Sequence, residues 1–205
     1  MKGLIVTGTD TDVGKTVFAA GLAQALGAAY WKPVQAGADP QTDSQFVAAL
    51  APDAVVLPEA YCLTTPCSPH EAARIDGVTI DPARLALPQV ARPLVVEGAG
   101  GALVPYSDSL LAADLFARWG LPAVVVARTS LGTISHTLLT LEALRSRGIT
   151  VAGVAFVGPS EPVAESAIMH LGAVHHLGRL PMLDPLDAAT LAAAFAAHVL
   201  TELLA

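Results

Sequence analysis

The sequence predicts an α/β protein in which a mostly parallel central sheet carries helices on both faces. Short apolar runs of strand length alternate along the chain with longer segments of helical periodicity, a pattern typical of βαβ units. Hydrophobic residues make up 53% of the 205 residues and charged residues 14%, so a large core and no extended disorder are expected. Right-handed crossovers would then place the helices on the two faces of one sheet.

Each element is expected where the local pattern has the matching period. The expected strands cover residues 4–7, 30–34, 94–96, 123–127, 151–157 and 175–180, and Pro33 ends the second of them. A glycine-rich turn is expected after the third strand. The expected helices cover residues 16–26, 110–119, 134–147, 163–171 and 186–205. Residues 35–93 are the least regular and proline-rich, and they are expected to carry helices that cover the substrate. With neither a repeat nor a linker in the pattern, residues 1–205 are interpreted as one domain.

Charge and hydropathy exclude several classes of protein. A net charge of −7 argues against a nucleic-acid surface, which needs clustered Lys and Arg. The start of the chain is too short for a signal peptide, and the apolar stretch 186–205 is interrupted by Asp187 and Glu202, which favours a helix on the core over a membrane span. A cytoplasmic protein is therefore expected, with neither nucleic acid nor membrane as partner. Cys62 and Cys67 lack the companions of a zinc site and are interpreted as reduced thiols.

The strongest motif follows the first expected strand and opens the first expected helix. It reads Gly8-Thr9-Asp10-Thr11-Asp12-Val13-Gly14-Lys15-Thr16. Backbone N–H groups of such a loop point inward and bind phosphate. Lys15 is expected to reach the β- and γ-phosphates, and the Thr16 hydroxyl to bind Mg²⁺. Five residues separate the two glycines, where the common pattern has four. The strand–loop–helix setting predicts a P-loop NTPase fold that binds a nucleoside triphosphate with Mg²⁺.

Lysine is rare in this chain, which has only Lys2, Lys15 and Lys32 against eight arginines. Arginine therefore carries the surface charge, and a lysine at a strand end suggests a function. Lys32 ends the second expected strand, at the sheet edge where ligands of parallel sheets bind. The alternative for Lys32 is an ordinary strand-end lysine whose ammonium reaches solvent.

Two acidic residues are candidates for a metal site. Glu97 follows an apolar strand and precedes Gly98-Ala99-Gly100-Gly101, where glycines permit close approach of the backbone to phosphate. A purely structural Glu97 would need a partner cation, because a buried lone carboxylate is costly. Asp43 is the weaker candidate, since an Asp in this setting is more often a helix N-cap.

Taken together, these residues resemble the dethiobiotin synthetase family. The matching segments run in the family's order along nearly the whole chain. They are GTDTDVGKT at 8–16, KPVQAG at 32–37, Asp43, TPCSPH at 65–70, VEGAGG at 96–101, LGTISH at 131–136 and LPM at 180–182. The loop together with VEGAGG is specific, whereas the other segments are weak alone.

The resemblance implies ATP-dependent ring closure of 7,8-diaminopelargonate with CO₂ or bicarbonate, in biotin biosynthesis, by a homodimer that uses Mg²⁺. In that reaction the substrate amine takes up CO₂ as a carbamate, ATP phosphorylates the carbamate to a carbamic–phosphoric anhydride, and the second amine displaces phosphate. No protein nucleophile is required, so catalysis would rest on positioning and charge stabilisation.

The resemblance also implies roles for particular positions. The catalytic residues would be Lys15 and Lys32, and the metal ligands Thr16, Asp43 and Glu97. The diamine would contact Thr11, Lys32 and Ala36, and its distal carboxylate would meet a helix start of the neighbouring subunit formed by Gly132, Thr133, Ile134 and Ser135. The nucleotide would be surrounded by Asp12, Val13, Gly14, Lys15, Thr16, Val17, Asp43, Glu97, Gly98, Ala99, Gly100, Val157, Gly158, Leu180, Pro181 and Met182.

Three positions depart from the family pattern. Ala36 stands where serine is familiar, and Ser135 where asparagine is common. Val157-Gly158-Pro159 stands where some members read adenine with asparagine, and the side chain of Val157 neither donates nor accepts hydrogen bonds. The sequence therefore leaves the preference for ATP over other triphosphates open.

The alternative is a partitioning or positioning ATPase of the same superfamily, a switch rather than a biosynthetic enzyme. Those proteins carry an additional lysine early in the loop, where this chain has Gly8-Thr9-Asp10. Their membrane-targeting versions end in a basic amphipathic helix, whereas residues 186–205 contain no Lys or Arg. A cobyrinate-type amidating ligase is a further alternative, but it usually brings a glutaminase domain for which this chain has no room. None of the six histidines is assigned as a catalytic base.

Overall fold

A computed structural model describes residues 3–204, so that Met1, Lys2 and Ala205 lie outside the described part of the chain. The strands are β1 (Gly3–Gly8), β2 (Ala29–Trp31), β3 (Val34–Ala36), β4 (Val55–Leu57), β5 (Tyr61–Leu63), β6 (Leu94–Gly101), β7 (Pro105–Ser107), β8 (Leu110–Leu111), β9 (Ala123–Arg128), β10 (Val151–Val157) and β11 (His176–Leu180). The helices are α1 (Lys15–Ala25), α2 (Asp43–Leu50), α3 (Pro69–Ile75), α4 (Ala112–Trp119), α5 (Thr133–Arg145), α6 (Pro162–Gly172) and α7 (Ala188–His198).

Seven strands form one central sheet in the order β11-β10-β9-β1-β6-β2-β4. Every neighbouring pair in this sheet is parallel, which confirms the predicted fold class. Two small sheets flank it, a parallel pair of β3 with β5 and an antiparallel pair of β7 with β8. Because all seven strands run the same way, the loops at their carboxyl ends converge on one edge.

The core lies in two layers, one on each face of the sheet. Successive residues of β1 point to opposite faces, so Leu4 and Val6 join one apolar cluster and Ile5 joins the other. The first cluster includes Phe18 of α1 and Phe195 of α7, and the second packs α4, α5 and α6 against the sheet through residues such as Phe116, Leu141 and Ile168. Apolar runs buried on both sides explain why the central strands read as continuous hydrophobic segments.

Four of the described helices begin with residues suited to a first helical turn. Thr42 and Gln45 form a reciprocal capping box at the start of α2, and Asp187 with Thr190 does the same for α7. Proline occupies the first turn of α3 and α6, where its lack of an N–H costs nothing.

Three expected elements differ from the structure. The strand expected over 30–34 ends at Trp31, because Pro33 cannot donate to a central ladder, and the chain continues as β3 beside β5. The glycine-rich segment after Val96 is a continuation of β6 to Gly101 rather than a turn. Glycine is needed there because a Cβ on Gly98 would lie 2.8 Å from the ring of Phe116.

The C-terminal helix expected over 186–205 is shorter than predicted and ends at His198. Val199 forms an antiparallel bridge with Gly178 at the edge strand β11, and the amide of Leu200 donates to the carbonyl of Leu177 at 2.8 Å. Because the backbone at Val199 and Leu200 pairs with β11, the helical hydrogen bonding of α7 does not continue past Val199. A 3-10 turn over Thr201–Leu203 follows. Within residues 3–204, no helix combines the length and the apolar character needed to cross a membrane.

Candidate active site

Strand register brings the expected site residues together. Val6 is the register partner of Glu97 across β1 and β6, and Trp31 is the partner of Val96 across β2 and β6. Lys32, which follows Trp31, therefore lies beside Glu97, and both lie beside the loop that leaves β1. Three segments far apart in sequence thus meet at one edge of the sheet.

The loop turns into α1 through two residues with left-handed backbone. Asp12 has φ 55° and Gly14, the N-cap of α1, has φ 90°. Within the described residues no side chain caps this helix, so its first N–H groups are available to an anion. The Lys15 ammonium lies in the same loop and donates to the carbonyl of Asp10 at 2.8 Å. Burial lowers the pKa of Lys15, and the carboxylate of Glu97 opposes part of that shift.

Glu97 is the centre of a buried polar cluster and has no exposed surface. Its Oε1 accepts from the Thr16 hydroxyl and from the Lys32 ammonium, each at 2.9 Å. Its Oε2 accepts from the Tyr30 hydroxyl, also at 2.9 Å. Burial and the negative charge of Glu97 raise the pKa of Tyr30 well above its ordinary value. The carboxylate thus has partners on both oxygens, as a buried charge requires.

Lys32 joins Glu97 to Asp43. Its ammonium lies 2.6 Å from Asp43 Oδ2 and 2.9 Å from Glu97 Oε1, and its side chain is only 4% exposed. Burial opposes the charged form, but the two carboxylates outweigh burial and raise the pKa of Lys32 above its usual range. The solvent-directed lysine that the sequence also allowed is therefore wrong. The capping role considered for Asp43 falls to Thr42 instead.

The donor set suits a hard divalent cation. The candidate ligands are oxygens only, and the one Lys32 ammonium within 3 Å of both carboxylates balances only one of their two negative charges. Within residues 3–204 no group of three His, Cys, Asp or Glu side chains is arranged to hold a metal. Mg²⁺ needs no such cage, because it is commonly held by one or two carboxylates together with substrate phosphates.

A cavity of about 750 Å³ opens above this cluster. The expected residues that line it are Thr11, Asp12, Gly14, Lys15, Thr16, Val17, Lys32, Ala36, Asp43, Glu97, Ala99 and Gly100. An adjoining cavity of about 320 Å³ shares Asp12, Gly14 and Val17 with the first. The expected residues that complete its lining are Val13, Val157, Gly158, Leu180, Pro181 and Met182. The two cavities therefore meet at the phosphate loop.

The expected carboxylate-binding segment lies elsewhere in the chain. Gly132, the N-cap of α5, and Thr133, Ile134 and Ser135 line neither cavity. Gly98 also lines neither, although its carbonyl lies 3.4 Å from the Lys32 ammonium. These residues therefore take no part in the two cavities of one chain.

Several lining or supporting residues were not expected from the sequence. Gln35 accepts from the amide of Asp43 at 3.1 Å and so ties β3 to the start of α2. Cys67 and Ser68 line the larger cavity, and the TPCSPH segment was the only signal for them. No sequence motif indicated a site role for Tyr30, because an aromatic residue in an apolar strand predicts only a core position. Cys62 and Cys67 are unpaired, exposed thiols.

Known proteins resemble this chain along nearly its whole length. Residues 2–190 match the AAA domain family. The chain is 61% identical over 198 residues to the ATP-dependent dethiobiotin synthetase BioD of Rhizorhabdus wittichii, covering 96% of this chain and 95% of that protein. It is 58% identical over 203 residues to the protein of the same name from Rhodopseudomonas palustris strain HaA2, covering 98% and 95%.

Solved structures show a similar fold at much lower identity. The cell division ATPase MinD of Pyrococcus furiosus has a TM-score of 0.63 at 16% identity, covering 100% of this chain and 98% of that one. A ParA family ATPase from Chlorobium tepidum has a TM-score of 0.57 at 10% identity, covering 96% and 91%. At these identities the likeness concerns the fold alone.

Proposed function

The chain belongs to the dethiobiotin synthetase family, and on that premise we propose how its residues carry out the reaction. It is an enzyme that forms dethiobiotin in biotin biosynthesis with ATP as co-substrate. The observation that carries the detailed proposal is the one cavity in which the phosphate loop, Lys32 and Glu97 meet.

The proposed substrates are 7,8-diaminopelargonate, CO₂ or bicarbonate, and ATP. One amine of the diamine adds to CO₂ and loses a proton, which gives a carbamate. A carbamate oxygen attacks the γ-phosphorus of ATP, so that ADP leaves and a carbamic–phosphoric anhydride forms. The second amine attacks the carbonyl carbon, the C–O bond to phosphate breaks, and the ureido ring closes with release of inorganic phosphate and a proton.

Lys15 and Lys32 stabilise the charge that moves in these steps. Lys15 is held in the loop by the carbonyl of Asp10 and lines the larger cavity, where its ammonium would contact the β- and γ-phosphates. Lys32 keeps its charge because two carboxylates surround it, and it faces the cavity where the carbamate would lie. Fixed charges in a partly dry cavity stabilise developing negative charge more strongly than water does.

The proposed holders of Mg²⁺ are Thr16, Asp43 and Glu97. A bound Mg²⁺ would supply charge neutralisation to the phosphate oxygens of ATP. The side chains of this chain supply one hydroxyl and two carboxylates toward it, while the α1 N-terminus binds the phosphates through backbone amides.

The smaller cavity is the proposed base site. Its lining includes the apolar residues Val157, Pro181 and Met182 and the hydroxyl-bearing residues Thr129 and Ser130. Thr11 and Ala36, in the larger cavity, are proposed contacts of the diamine. The alanine methyl offers the diamine no hydrogen bond.

A homodimer completes the proposal. The start of α5 lines neither cavity of its own chain, so Gly132–Ser135 would receive the distal carboxylate of a diamine bound to the partner subunit. A cytoplasmic location and a single-domain organisation of residues 1–205 belong to the same proposal.

Phosphate release tests the assignment directly. Purified protein with Mg-ATP is assayed with and without 7,8-diaminopelargonate and bicarbonate. We expect phosphate only when both are present, together with a ureido product detected by mass spectrometry. Steady hydrolysis without the diamine would favour the partitioning-type switch, which the family relationship does not favour.

A further inference from the structure

We propose that Tyr30 is a positioning residue that orients the carboxylate of Glu97 for cation binding. This inference rests on the proposed function, in particular on the metal-holding role of Glu97. It adds a residue that lies outside both cavities and that no motif of the sequence marks.

The contact divides the two oxygens of Glu97 between different tasks. Oε2 faces the Tyr30 hydroxyl at 2.9 Å, and since a carboxylate only accepts, the hydroxyl donates. Oε1 faces the Thr16 hydroxyl and the Lys32 ammonium, and therefore lies on the side of the phosphate loop. With Oε2 engaged, the carboxylate cannot rotate away from Thr16 without breaking a buried hydrogen bond.

Tyr30 is itself rigidly held. It lies in the middle of β2, which is flanked by β4 and β6 in the central sheet. Its side chain has no exposed surface and belongs to the apolar cluster that contains Phe18, Val47 and Val95. The hydroxyl is thus presented by a packed ring on a central strand, not by a mobile side chain.

A residue that donates a hydrogen bond to a metal-binding carboxylate affects metal affinity even though the residue itself does not contact the metal. Losing such a partner typically weakens metal affinity or activity by about 10–100-fold. Tyr30 lines neither the larger nor the smaller cavity, so its hydroxyl makes no contact with the diamine, and Lys32 keeps its ion pair with Asp43 when that hydroxyl is removed. The expected signature is a change confined to the cation.

The test replaces Tyr30 by phenylalanine, which keeps the ring and removes only the donor. Mn²⁺ binding is measured by electron paramagnetic resonance in the presence of a non-hydrolysable ATP analogue, whose binding also stabilises the folded protein. We expect Tyr30→Phe to bind Mn²⁺ about 10-fold more weakly than the parent protein and to keep the KM for the diamine. Circular dichroism with the analogue present checks that the variant is folded.

Tyr61→Phe is the matched control. Tyr61 is also nearly buried, but its hydroxyl accepts from the amide of Asp81 at 2.9 Å and lines neither cavity. Tyr61→Phe should therefore keep the parental Mn²⁺ affinity, which separates loss of a particular hydroxyl from general loss of packing.

Glu97→Ala distinguishes failure of this inference from failure of the proposed site. If Glu97→Ala lowers Mn²⁺ affinity but Tyr30→Phe stays within about twofold of the parent, the positioning role is wrong and the metal site stands. If Glu97→Ala leaves Mn²⁺ affinity unchanged, both the metal role of Glu97 and this inference are overturned. In the Glu97→Ala background, Tyr30→Phe should have no further effect on Mn²⁺ binding, because the coupled partner is gone.

Discussion

Replacing Gly14 by alanine tests how the phosphate loop is packed against the base site. Gly14 has φ 90°, and an added Cβ would lie 2.8, 3.0 and 3.1 Å from Val157 Cγ1, Cγ2 and Cβ. Contacts this short force a shift, and Val157 cannot easily turn aside because a β-branched side chain is stiff about χ1. Gly14→Ala should therefore strain the loop and push it away from β10.

The expected loss has two separable parts. Left-handed backbone costs an L-residue about 1–2 kcal/mol, and forcing a methyl into a packed contact costs about 1–3 kcal/mol. Together they predict that Gly14→Ala lowers the free energy of unfolding by about 2–5 kcal/mol. Gly27→Ala is the matched control, since Gly27 has φ 56° but no atom within 4 Å of its added Cβ, and only the backbone part applies.

The free energy of unfolding of both variants is measured by urea titration with circular dichroism as the signal. Their nucleotide affinity is measured by titration with an ATP analogue. Gly14→Ala should also weaken binding of the ATP analogue, because Gly14 lines both cavities. In a Val157→Ala background, Gly14→Ala should lower the free energy of unfolding by less. The relief is only partial, because the alanine at position 157 keeps the Cβ that lies 3.1 Å from the added methyl group. Equal losses for Gly14→Ala and Gly27→Ala would refute the steric reasoning.

Three further predictions address other parts of the molecule. Lys15→Ala should reduce diamine-dependent phosphate release by more than about 100-fold without unfolding the protein, and full turnover would remove Lys15 from the site. Lys32→Met leaves Glu97 buried without its ammonium and should lower the unfolding free energy by about 3–5 kcal/mol in urea titrations; an unchanged midpoint would contradict the ion-pair account. Hydrogen bonds from Arg147 and the Leu111 amide lower the pKa of Asp114, so Asp114 adds stability above the ordinary Asp pKa of about 3.9 that is lost as pH falls through the folded value. Asp114→Asn should therefore lose less stability than the parent between roughly pH 5 and pH 2, and identical acid unfolding of the two proteins would argue against this contribution.

Much of the fold could be predicted because its signals are local. The strand over 151–157 coincides with β10, and the expected strands and helices on either side of it differ from the structure by a residue or two. Apolar periodicity reports which backbone a segment adopts, and periodicity is a property of near neighbours. Two of the three errors arose where a distant partner decided, at Gly101, which pairs with Gly8, and at Val199, which bridges to Gly178.

The site divides in the same way. The phosphate loop, Lys32 and Glu97 were predicted because loop chemistry and strand-end position are readable along the chain. Tyr30 was not predicted, since nothing next to it in sequence distinguishes it from a core aromatic. Its role depends on the register of β2 against β6.

By itself, the amino-acid sequence determined the alternation of strands and helices and a loop shaped to bind phosphate, because both follow from interactions within a few residues. Only the tertiary structure decided the strand order that places Lys32 between Glu97 and Asp43. It also decided that the buried Tyr30 hydroxyl donates to Glu97. The physical reason is that a buried charge requires partners in space, and strand order and register select them from residues up to 81 positions apart in the chain.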